Sequence, residues 1–173
     1  MVETLNTFLA LGTIFLQIAS VALFILALVQ RNNPFLGFVS RHAEKIAFLL
    51  AFGSLVASLI YSDGIGYAPC TMCWYQRIFI YPQAFLFAIA VIKKEYIHVW
   101  QYANTLSVIG ILFSINHLYI ESGGNSLIPC SASVSCSARY VYEFGYISIP
   151  MMAATFFVSI LVLGFIKKRT TSL

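Results

Sequence analysis

The chain has 173 residues, of which 60% are hydrophobic and only 9% charged, with a mean hydropathy of +0.87. These values exclude an ordinary soluble domain and place the chain in lipid. The net charge of +4 reflects how basic residues are shared between the two membrane faces and argues against a nucleic-acid partner.

A helix needs about 20 apolar residues to cross the hydrocarbon core, and five runs of roughly that length occur, at 5–29, 46–61, 74–92, 102–120 and 147–166. The intervening loops are short, the longest being 121–146, so a single domain is expected. The first run does not read as a cleaved signal peptide. Its leading charge is Glu3, its apolar core is long, and Arg31 follows it directly. It is expected to be a retained helix.

Arg31, Arg41 and Lys45 follow the first run, Lys93 and Lys94 the third, and Lys167, Lys168 and Arg169 the fifth. Of the ten basic residues, only Arg77 and Arg139 fall on the other side. Short loops rich in lysine and arginine stay in the cytoplasm. The N-terminus is therefore expected outside, the segment 31–45 as a cytoplasmic loop, and the C-terminus inside.

All four cysteines then lie on the extracytoplasmic side, Cys70 and Cys73 between the second and third spans, Cys130 and Cys136 between the fourth and fifth. That compartment is oxidising, so disulfides are expected, and three pairings are open. Cys70 and Cys73 sit in Tyr67-Ala-Pro-Cys-Thr-Met-Cys-Trp-Tyr-Gln-Arg77, with Cys73 at the start of a helix. Unpaired N–H groups there, and Arg77 one turn on, favour a thiolate suited to disulfide exchange or to attack on an electrophile. A C-x-x-C loop is too small to staple a fold. Pro129-Cys-Ser-Ala-Ser-Val-Ser-Cys136 lies in a loop of small and polar residues opened by Glu121-Ser-Gly-Gly-Asn-Ser126, which another protein can reach.

Alternatives for the cysteines are a structural staple in the loop and a zinc site. The Cys-x5-Cys spacing is long for zinc. Trp74, where a c-type haem motif needs histidine, excludes haem attachment. No metal is expected.

Arg77 is a charge just inside a span, read either as a donor to a quinone headgroup or as a snorkelling anchor. Tyr75 and Gln76 add polar groups at its depth. In the fourth span Asn104, Ser107, Gly110, Ser114 and His117 form one small, polar face, expected to pack on other helices. His117, beside Asn116, stands at its outer end as a second candidate donor to quinone. Gly53, Ser54, Ala57 and Ser58 read as packing alone. Tyr61, Tyr67, Trp74 and Trp100 read as interfacial aromatics, and Pro82 and Pro150 as a kink or helix start.

Pro69-Cys-Thr-Met-Cys-Trp-Tyr-Gln-Arg77 with Tyr81-Pro82 resembles the signature of the disulfide bond formation protein B (DsbB) family, in particular its BdbC-like branch. The likeness continues through Ile128-Pro-Cys-Ser-Ala-Ser-Val-Ser-Cys136 and Phe144-Gly-Tyr-Ile-Ser-Ile-Pro150. It implies an all-α membrane protein, a four-helix transmembrane bundle at 46–166, with 1–45 an additional N-terminal helix and loop. It also implies an enzyme of the bacterial inner membrane that reoxidises a thioredoxin-fold dithiol oxidase, DsbA-like or BdbD-like, and passes electrons to ubiquinone or menaquinone. By the same resemblance Cys73 contacts the quinone and Cys70 is its partner. Cys130 forms the mixed disulfide with the oxidase, Cys136 exchanges with Cys70, and Arg77 and His117 belong to the quinone site. A vitamin K epoxide reductase-like enzyme is the nearest alternative, but there the loop cysteines precede the C-x-x-C. A non-catalytic membrane subunit with structural disulfides is the other.

Overall fold

A computed structural model describes residues 2–30, 33–94, 98–125, 130 and 134–171. Five helices, each long and apolar enough to cross a membrane, follow one another. They are α1 (Val2–Val29), α2 (Pro34–Leu59), α3 (Thr71–Lys93), α4 (Val99–Glu121) and α5 (Ile149–Thr171). A π-helical turn, Ile60–Gly64, extends α2. Among the described residues there is no strand, only one antiparallel bridge between Glu143 and Ile147.

The second helix starts earlier than its hydropathy suggests. Asn33 caps it, its side chain accepting from the Phe35 N–H at 2.8 Å, and Pro34 fills the first helical position, where a missing N–H costs nothing. The segment 33–45 is thus mostly helix rather than the expected loop; Arg31 lies outside the described residues. Of the charges that disguised it, Arg41 and Lys45 are exposed and Glu44 is accommodated in packing. Glu44, buried, pairs with Lys167 Nζ at 2.9 Å and accepts from Trp100 Nε1 at 2.9 Å. Lys167 also donates to the Ser40 carbonyl. A buried carboxylate needs such partners, and these tie α2, α4 and α5 together at the end where Lys93, Lys94, Lys168 and Arg169 gather. Trp100 is therefore a buried donor rather than an interfacial anchor.

α2 packs on α3 and α5, and α4 packs on α3 and α5, so these four close into a bundle; α1 lies outside it, along α5. The core holds Phe87, Phe157 and Ile160, all fully buried. The small face of α4 packs inward as expected. A Cβ at Gly110 would overlap the Phe157 ring, and one at Gly164 would overlap the Asn104 amide, so α4 and α5 approach closely where glycine permits it. Ser107 and Gln83 hydrogen-bond across α3 and α4. The cysteines sit at the opposite end from the basic cluster.

Candidate active site

Cys70 is extended and caps α3, its Sγ accepting from the Cys73 N–H at 3.3 Å. One turn of helix brings Cys73 back beside it, and the two sulfurs stand 2.7 Å apart. Cys130 and Cys136 form a disulfide. Cys136 is buried and packs in one cluster with Cys70, Met72 and Ile120, while Cys130 is partly exposed. The residues immediately flanking Cys130, 126–129 and 131–133, lie outside the described ones.

His117 joins the two pairs. Its Nε2 is 3.7 Å from Cys70 Sγ and 3.1 Å from the Cys136 carbonyl oxygen, and its Nδ1 is 3.4 Å from Gln76 Nε2. The Cys70 thiol is drawn down to about 4, chiefly by its contact with Cys73 and then, against burial, by His117. The expected thiolate thus has its hydrogen-bonding support on Cys70, with one proton held between the two sulfurs. In the reduced pair the thiolate is present above that pH and is lost as pH falls through it.

Removing one of its supports moves the transition up. His117→Leu, in a protein whose loop cysteines are serine, should shift the thiolate midpoint toward the ordinary thiol range, and Cys73→Ala should shift it further. Ultraviolet thiolate absorbance against pH reads both. An unmoved midpoint in His117→Leu would remove the imidazole from this role.

Two spaces border the pair. The larger, about 330 Å³, is lined by Cys73, Gln76 and Arg77 at one end and by residues of α1, α2 and α5 elsewhere. Arg77 Nη2 donates to the Ser58 carbonyl at 3.1 Å, and the guanidinium lies 5.2 Å from the Trp74 ring centroid. Gly53, Ser54, Ala57 and Ser58, expected to serve packing alone, line this cavity instead. Ser58 also accepts from Tyr81. The smaller space is lined by Cys70, Cys73, His117 and Glu121, among others. His117 therefore sits across the cysteine pair from Arg77 and does not line the larger cavity.

Glu121 accepts from Ser148 Oγ at 2.7 Å, and its carbonyl accepts from Arg139. Sequence alone places it at the opening of the loop, but it ends α4, four residues after His117 and on the same helix face. Tyr61, Tyr67 and Tyr140 stack in series along the large cavity, so Tyr61 is a buried wall rather than an interfacial anchor. The ligand atoms of Cys70, Cys73 and His117 lie within 4.8 Å of one another and could hold a thiophilic cation only while both thiols are reduced.

The model of the family described as disulfide bond formation protein DsbB matches residues 40–166, a stretch that holds all four cysteines and leaves α1 outside. A "Probable disulfide formation protein" of Oceanobacillus iheyensis is 40% identical over 141 residues, 76% of this chain and 94% of that protein. "Probable disulfide formation protein C 2" of Bacillus anthracis is 35% identical over 131 residues, 75% of this chain and 93% of its own. "Disulfide bond formation protein C" of Bacillus subtilis is 34% identical over 119 residues, 67% and 85%. No solved structure matches the chain. With the family match running from early in α2 nearly to the end of α5, across both cysteine pairs, this multi-pass membrane chain belongs to the DsbB family of disulfide bond formation proteins.

Proposed function

We propose that the protein is a thiol:quinone oxidoreductase of the bacterial cytoplasmic (inner) membrane. It reoxidises a thioredoxin-fold dithiol oxidase, DsbA-like or BdbD-like, outside the membrane and so supports disulfide formation in exported proteins. The observation that carries the reading is that Cys73 borders both spaces, the apolar cavity with Arg77 on one side and the Cys70, His117 and Glu121 cluster on the other. A thiol pair so placed faces an apolar electron acceptor and a loop disulfide at once.

The cavity suits a quinone. Its volume, about 330 Å³, falls within the range of small-molecule sites. Leu9, Leu16, Leu50, Ile80 and Phe156 supply apolar walls, while Arg77 supplies donors beside Cys73. Bound there, ubiquinone or menaquinone would supply the acceptor for two electrons and two protons. Arg77 would hold it by hydrogen bonding to an oxygen.

The cysteines divide the exchange. A partner thiolate attacks Cys130 Sγ, and Cys136 leaves. The second partner thiolate then breaks the mixed disulfide, giving the partner disulfide and two thiols here. Cys136 attacks Cys70 of an oxidised Cys70–Cys73 pair, Cys73 leaves, and Cys130 resolves the new bond. The pair is left with the two electrons and Cys73 at the cavity edge. The greater exposure of Cys130 and the burial of Cys136 against Cys70 support this order. We assign the four helices α2 to α5 as the catalytic bundle, α1 as an addition to it, and the cysteine end to the extracytoplasmic face, with the basic end and C-terminus cytoplasmic.

Trapping tests the assignment of Cys130. With the Cys130–Cys136 disulfide intact, a reduced thioredoxin-fold partner whose second cysteine is serine, added outside spheroplasts, should be captured as a lasting mixed disulfide through Cys130, because Cys136 leaves and the partner has no second thiol to break the bond. Capture confined to inside-out vesicles would reverse the orientation. No capture in either preparation would remove Cys130 from partner exchange.

A further inference from the structure

The helix outside the family match is not a plain lipid-facing anchor. Phe15, Ile18, Val21 and Ile25 are exposed, as lipid contact requires, but the opposite face of α1 is polar and paired. Gln17 Nε2 donates to Thr155 Oγ1 at 3.0 Å, Ser20 and Ser159 hydroxyls are 2.9 Å apart, and Tyr146 OH donates to Gln17 Oε1 at 3.0 Å. Interhelical hydrogen bonds of this kind fix the rotation of a helix in lipid. They hold α1 on α5. At the cysteine end Tyr61 OH donates to Asn6 Oδ1 at 2.9 Å and joins α1 to α2.

Below that clasp the two helices stay apart. Phe8, Gly12, Thr13 and Leu16 of α1 line one side of the large cavity, and Gly53, Ser54 and Ala57 of α2 line the other. A Cβ at Gly12 or at Gly53 would meet nothing within 4 Å. Neither glycine is there to let helices touch. Both are exposed as well as cavity-lining, so the gap between them opens toward lipid. Glycine is the weakest helix former after proline, and here it keeps a passage free.

We propose that α1 is the outer wall of the quinone pocket, and that the notch between Gly12 and Gly53 passes the long apolar chain of the quinone from the headgroup site at Cys73 and Arg77 into the bilayer. The inference rests on the quinone reading above and adds to it. A headgroup held beside Arg77 needs an apolar exit for its chain, and the gap between α1 and α2 supplies one along the same cavity. By this account α1 sets which quinone chains enter and how firmly they are held.

Gly12→Phe projects a ring into the notch from α1, at a position where a Cβ meets nothing within 4 Å, and Ile18→Phe places the same ring on the lipid face as a control. Steady-state turnover should show an apparent KM for a long-chain quinone raised about tenfold or more in Gly12→Phe. A tail-less quinone should be affected much less, and Ile18→Phe should match wild type. Single-turnover disulfide exchange with the partner should stay unchanged in both. A second arm needs no variant: a quinone with a photoreactive group on its chain should label residues of Val2–Val29 in wild-type protein. Labelling confined to α2 and α3, or an unchanged KM in Gly12→Phe while Arg77→Lys raises it, overturns the role of α1 and leaves the quinone reading standing. Wild-type protein that reduces no quinone overturns both.

Discussion

Replacing Cys130 and Cys136 together by serine should lower oxidation of the partner dithiol by about three orders of magnitude or more, the scale on which loss of a covalent nucleophile acts. A hydroxyl cannot take part in disulfide exchange, so the partner loses the sulfur it must attack. The Cys70–Cys73 pair depends on other contacts, Cys70 at the cap of α3 and His117 against its sulfur. It should therefore keep its own redox chemistry and still reduce quinone when a small dithiol is supplied. Partner oxidation and small-dithiol oxidation, measured side by side, separate the two pairs. A double variant that oxidised the partner at the wild-type rate would end the relay and return the loop disulfide to a structural role.

Arg77→Lys should raise the apparent KM for quinone about tenfold or more, which corresponds to a loss of at least about 1.4 kcal/mol, while leaving single-turnover exchange at the loop disulfide unchanged. The guanidinium has one N–H on the Ser58 carbonyl and one face toward Trp74, and it still borders the cavity beside Cys73. These contacts fix its orientation. Charge-assisted hydrogen bonds contribute about 1.5 to 3 kcal/mol, and a planar fork held by Ser58 and Trp74 aims its remaining donors where an ammonium would not. Lysine serves equally well only if the residue merely snorkels. Unchanged quinone dependence in a properly inserted Arg77→Lys protein would remove Arg77 from the site.

Much of this site was legible in the sequence because it is local. A proline before a C-x-x-C at the start of an apolar run places two sulfurs at a helix terminus with Arg77 one turn on, and the helix follows those signals. The polar face of α4 was legible for the same reason, since its period is that of a helix. Contacts between distant segments were not. Glu44 reads as a loop charge until Lys167 and Trp100 are known to meet it, which is why the start of α2 at Asn33 and Pro34 was missed despite a good cap. Small residues on α2 have the same pattern whether they meet a helix or an open cavity, and only the position of α1 decides between them. The period of α4 placed His117 at the end of its polar face, but its contacts with Cys70 and the Cys136 carbonyl depend on a loop with no periodicity.

The most direct test of the central claim is to mix purified protein with a reduced thioredoxin-fold dithiol oxidase and a soluble quinone and follow the quinone absorbance. The account predicts sustained turnover, with equimolar loss of quinone and gain of partner disulfide, stopped by serine at any of Cys70, Cys73, Cys130 or Cys136. Partner oxidation with no matching loss of quinone, or quinone loss that continues in the protein lacking all four cysteines, would contradict it.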